Sequence, residues 1–159
     1  MNVDVLNESG VDDLDVVDLT RLCRFTMRRM RLHPATELTV RLVDPDTITV
    51  LNEQWMGKKG PTDVLSFPMD ELTPGTDVED SPEGYLGDIA LCPQVAEQQA
   101  PAAGHSTQDE IDLLTVHGIL HLLGYDHAEP EEHREMFGLQ GRLLLEWQQV
   151  AAGADPEQA

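Results

Sequence analysis

Cations are scarce in this chain. Only 10 of its 159 residues are lysine or arginine, against 30 aspartates and glutamates, so the formal net charge is −20. That balance argues against a general nucleic-acid coat or a lipid-surface binder, both of which use basic patches. Cysteine is scarcer still. Cys23 and Cys92 are too few for a disulfide framework and lack metal-type pairing. Both are expected to be reduced core thiols of a cytoplasmic protein. The first residues are acidic from Asp4 onward, with no cationic start before an apolar run, so no secretory signal is expected. No apolar stretch approaches the ~20 residues of a membrane span, and no internal repeat is visible. What is present suffices for a core. Hydrophobic residues make up 40%, and the length suits one domain of roughly 100–150 residues. The expected domain covers residues 1–150, and residues 151–159 are expected to form a frayed tail.

Periodicity predicts short strands and helices, interspersed without regular alternation. Residues 2–6 read as a strand, followed by a helix opened by Ser9 and Gly10 and closed near His33-Pro34. Leu38–Val43 alternates as a strand. Asp44-Pro45 has the form of an N-cap with proline in the first turn, opening a helix to about Trp55. Val64–Phe67 and Tyr85–Leu91 read as strands. Between them, residues 70–84 hold two prolines, two glycines and six acids, the composition of a mobile surface loop. A short helix follows from Pro93 to about Ala100. Thr107 and Glu110 have capping-box spacing at the head of a helix reaching Leu123. Pro130 starts the last helix, with Phe137, Leu144, Leu145 and Trp147 as core candidates. The expected fold is α+β, a small mixed sheet packed against helices.

The strongest chemical signal is HGILHLLGYDH, His117 to His127. His117 and His121 are one helical turn apart and project from one face, a common way to hold zinc. Gly124 can end the helix in a left-handed conformation, and His127 can return to close a third ligand position. Three imidazoles leave a fourth position open, the pattern of a catalytic rather than a structural site. His33, His105 and His133 have no such arrangement and read as surface or capping residues. Metzincin peptidases share this histidine spacing, but carry a glutamate general base directly after the first histidine. Here that position is Gly118, and losing such a base commonly costs ~10²–10⁴-fold in rate. The zincin-like scaffold is similar; the peptidase reaction is not supported.

HGILHLLGYDH, with GPTDVLSFP (Gly60–Pro68) and GDIAL (Gly87–Leu91), resembles the YbeY family of bacterial endoribonucleases, over roughly residues 1–150. The resemblance implies one zinc ion per chain held by His117, His121 and His127. It implies cleavage of single-stranded RNA in small-subunit rRNA maturation, including the 3′ end, and in ribosome quality control. It also implies a small-subunit ribosomal protein and a ribosome-associated GTPase as partners, with no DNA or membrane partner. Whether metal-activated water or the RNA 2′-hydroxyl attacks is left open. His117 and Asp126 are the catalytic candidates. Asp126 either orients an imidazole or serves the turn. Ser66 and Asp63 either shape the cleft or are a strand serine and a capping aspartate, and Asp88 is undecided. Many family members carry an arginine where this chain has Met56. Lys58 or Lys59 could supply the missing charge, though as point charges rather than a bidentate fork; the alternative is a solvated turn.

The charge is unevenly distributed. Residues 1–20 total −6, residues 21–69 total +3 and residues 70–159 total −17. Arg21 to Arg31 contains five of the ten cations and no acid. Arg28 and Arg29 either line an RNA groove or offset the acidic start. The acidity therefore excludes only indiscriminate nucleic-acid binding. Two competing functions remain at this level: a zinc metallopeptidase, and a non-catalytic ribosome-assembly or RNA-binding factor with structural zinc.

Overall fold

A computed structural model describes residues 1–153. Its elements are β1 (Asn2–Glu8), α1 (Val16–Arg29), β2 (Glu37–Val43), α2 (Pro45–Leu51), β3 (Val64–Pro68), β4 (Tyr85–Leu91), α3 (Pro93–Ala103), α4 (Thr107–Leu122) and α5 (Pro130–Gly153). The fold is α+β, as expected. The sheet order is β1-β2-β4-β3, with β1, β2 and β4 parallel and β3 antiparallel to β4. β2 alternates, burying Leu38, Val40 and Leu42 and exposing Glu37 and Arg41, whereas β4 is buried on both faces from Ile89 to Leu91. Leu38, Val40, Leu42, Ile89 and Leu91 join the main core with α1, α4 and α5. Val43, Leu65, Ala90 and Cys92 face the other way and pack with Ile48 of α2. Among the described residues, no helix is long and apolar enough to cross a membrane. The tail expected to fray falls mainly on 154–159, outside the described residues, while α5 itself reaches Gly153.

Several boundaries differ from the sequence expectation for local reasons. The first helix begins at Val16, not at Ser9-Gly10. Asn7 Oδ1 accepts from the Ser9 hydroxyl at 2.6 Å and the Ser9 amide at 3.1 Å, and Ser9 Oγ accepts from the Val11 amide, which makes this stretch a turn. Asp15 then caps the helix by accepting from the Asp18 amide. The helix ends at Arg29, before His33-Pro34, because Arg31 adopts φ 60°. Asp44 caps α2 as expected, and the helix continues without a break as a π-helical turn, Asn52–Met56. The cap of α4 is Ser106 rather than Thr107: its side chain accepts from the Asp109 amide at 3.1 Å. Glu110 is instead turned inward to the His105 ring at 2.6 Å. Residues 70–84 lack helix and strand, yet Leu72 and Ser81 are buried. The Gly75 and Ser81 amides donate to the Met30 and Arg31 carbonyls, tying the loop to the end of α1. Of the core candidates on α5, Trp147 is buried against Phe25, Leu144 is half-buried, and Leu145 and Phe137 are exposed.

Candidate metal centre and its cleft

The centre is built at the end of α4. Leu123 closes the helix and Gly124 takes φ 95°, where a side chain would be strained. The Gly124 amide donates to the His121 carbonyl at 3.0 Å and the Tyr125 amide to the Leu120 carbonyl at 3.1 Å, the paired bonds of a Schellman motif. The Asp126 carboxylate accepts from the His127 amide at 2.7 Å. Together these turn the chain back, so that one nitrogen from each of His117, His121 and His127 lies within 4.8 Å of the others. Asp126 thus shapes the turn through backbone, and no bond from it to an imidazole ring is formed among the described contacts.

Gln140, buried on α5, fixes the first imidazole. Its Oε1 lies 2.9 Å from His117 Nδ1, so Nδ1 carries the proton and donates, leaving Nε2 for a metal. His117 and His121 are half-buried, and burial is the main cause holding both below the ordinary imidazole range. The charge of neighbouring imidazoles adds to this; Gln140 and Asp63 oppose it at His117, and Asp126 and the Tyr125 backbone oppose it at His121. A neutral ring is the form that ligates. Three nitrogen donors, one with its second ring nitrogen already engaged, fit a borderline-soft divalent ion. Phe137 packs against His117 and His127 at 5.6 and 5.9 Å, and His133 stacks on Phe137 at 4.3 Å. The expected core residue Phe137 therefore walls the centre, and His133 supports that wall.

The three histidines open into a cleft of about 670 Å³ that is also lined by Asn52, Met56, Lys58, Asp63, Ser66 and Glu110. Lys58 is thus brought to the histidines; Lys59 is exposed on the same loop but does not line the cleft. Buried Asn52 holds that loop by donating to the Gly60 carbonyl at 3.0 Å. Ser66 donates to the Gly118 carbonyl at 3.1 Å. A Cβ at Gly118 would lie 3.0 Å from Ile89 Cδ1 and 3.2 Å from Ser66 Oγ. A side chain at the position of the peptidase glutamate would have to push Ile89 and Ser66 back by a few tenths of an ångström. Asp88 faces a different groove, where its carboxylate accepts from the Tyr85 hydroxyl at 2.5 Å. Arg28 and Arg29 line a third cavity, with no lining residue in common with the histidine cleft.

Gln140, Asn52 and Glu110 were not legible as site residues. Gln140 did leave a signal. It interrupts the buried α5 stripe of Met136, Leu143 and Trp147 at helical spacing, and a polar residue in such a stripe needs a partner.

Comparison with known proteins matches the sequence to a family. The model of the family described as endoribonuclease YbeY matches residues 7–148. The chain belongs to the YbeY family. The YbeY endoribonuclease of Nocardioides sp. is 65% identical over 147 residues, covering 92% of this chain and 98% of its own. That of Thermobifida fusca is 60% identical, covering 92% and 94%. The solution structure of TM1509 from Thermotoga maritima superposes with a TM-score of 0.64 at 29% identity, covering 99% and 96%. The matched residues include all three histidines, Gln140 and the cleft-lining strand β3.

Proposed function

We propose that this chain is a zinc-dependent endoribonuclease, specific for single strands, that acts in small-subunit rRNA maturation, including the 3′ end, and in ribosome quality control. The observation that carries this reading is the convergence of three imidazoles, one oriented by Gln140, in an open cleft of a YbeY-family chain. His117, His121 and His127 would hold the ion, which supplies positive charge against the phosphodiester and activates a nucleophile.

The chain's own residues do the rest. Lys58 lines the cleft and meets a backbone phosphate as a point charge, in place of the fork that Met56 cannot supply. Lys59 adds long-range attraction from the same loop. Ser66 bonds to Gly118, and so fixes α4 on β3 and sets the depth of the cleft. Asp126 holds His127 at the cleft mouth through the turn. Arg28 and Arg29 contact a more distant stretch of the RNA from their own cavity. A precursor of the small-subunit rRNA, presented by a ribosomal protein or a ribosome-associated GTPase in the cytoplasm, is the substrate this reading favours.

The test is cleavage of single-stranded against duplex RNA by highly purified protein, before and after chelation and with zinc restored. Loss on chelation and recovery with zinc, on single strands only, is expected. Cleavage that persists through metal removal overturns the assignment.

A further inference from the structure

One of the two tryptophans lies on the surface. Trp147 is 4% exposed, as its size predicts, whereas Trp55 is 63% exposed, beside Met56 at 52% and Met69 at 55%. Trp55 belongs to the π-helical turn, a rare geometry that recurs at functional sites. Its indole meets Phe67 edge-on at 6.4 Å. With Leu51 and Met69 these rings form an apolar groove of about 400 Å³, whose polar end is Arg41 and Asp88.

The groove and the histidine cleft are neighbours. β3 is an edge strand, and its side chains alternate: Ser66 and Pro68 line the cleft, while Phe67 lines the groove. The π-helical turn spans both as well, with Trp55 in the groove and Met56 in the cleft. An RNA strand leaving the cleft would have to cross only this edge to meet the indole. The loop that follows carries Lys58 and Lys59, and no acid falls between Trp55 and Thr62. An exposed indole flanked by cations is the chemistry that binds unpaired bases without reading their edges.

Resting on the endoribonuclease reading, we propose that the groove of Trp55, Phe67 and Met69 is a substrate subsite. It stacks one unpaired nucleobase next to the scissile linkage. Continuity with the cleft and the flanking lysines favour RNA over a protein partner. On this account base stacking does part of the work that phosphate binding at position 56 would do.

The experiment measures steady-state cleavage of a single-stranded RNA by the metal-loaded protein, with Trp55→Ala, Trp55→Phe and an RNA bearing abasic nucleotides beside the cleavage site. Trp55→Ala should raise KM roughly tenfold with kcat nearly unchanged, and Trp55→Phe should restore most of it. The abasic RNA should raise KM for the unmodified protein and add nothing in Trp55→Ala. An unchanged KM in Trp55→Ala, or an abasic penalty equal in both proteins, overturns the proposal. So does a Trp55→Ala variant that loses only its association with ribosomal subunits, since the patch then serves a protein. If the unmodified protein cleaves no RNA at all, the endoribonuclease reading itself has failed, a result distinct from any of these.

Discussion

Two cavities of nearly equal size, about 670 and 660 Å³, flank α5, and they differ in how their polar groups are held. In the histidine cleft, His117 and His121 are half-buried and held below the ordinary imidazole range, Gln140 orients His117, and the turn at Asp126 places His127. In the other cavity, Arg28, Arg29, Arg31 and Arg142 converge, but Arg29 pairs with Glu146 at 2.9 Å and Arg31 lies 3.6 Å from Asp77. Those pairs are exposed and contribute little to stability. Arg29 also packs over the Phe25 ring, and Arg28 and Arg29 sit in the last turn of α1, where cations suit the helix dipole. Size alone therefore does not distinguish the two. Convergence of donors with fixed orientation does.

The comparison can be broken from either side. The largest effect is expected from His121→Ala, which should reduce RNA cleavage to background while far-ultraviolet circular dichroism stays unchanged. An active His121→Ala protein would mean that the cleft is not the reacting centre. Gln140→Leu removes the acceptor that orients His117 and should weaken metal affinity ~10–100-fold in chelator competition. Gln140→Glu keeps an acceptor and should retain metal, which separates positioning from packing.

Asp112 sharpens the contrast within α4 itself. It sits among the buried residues of that helix, bonded to Gln108 at 2.8 Å, and burial pushes its carboxyl up to about 7. The folded state then holds a proton that the unfolded chain releases near pH ~4. Stability contributed by this group is thus full below pH ~4, falls as the pH rises to about 7, and is flat above. Asp112→Asn should stabilise by roughly 1–3 kcal/mol above pH 7, with the gain shrinking toward pH 4 in urea titrations. The smallest effect is expected from reversing Arg28 and Arg29 to glutamate. RNA affinity should weaken and its salt dependence flatten, while kcat at saturating RNA is retained.

How much of this was legible follows the distance over which each contact acts. The His117, His121 and Gly124 spacing could be read because one helix and its cap impose it. The Asp44 cap and the alternation of Leu38–Val43 are local in the same sense. Gln140 meets His117 across 23 residues and two helices, so only its polarity in an apolar stripe hinted at it. Glu110 had the spacing of a capping box, yet burial against His105 overrode it. The clustering of arginines on α1 is visible in the sequence, but nothing local shows that α5 passes between them and the histidines.

The central claim is that the three imidazoles hold the ion that drives RNA cleavage. The most direct measurement is metal content together with cleavage of a small-subunit rRNA precursor, wild type against His117→Ala. The account predicts about one zinc per wild-type chain and cleavage of the precursor, with both lost in a folded His117→Ala protein. Cleavage by a metal-free His117→Ala chain would contradict it.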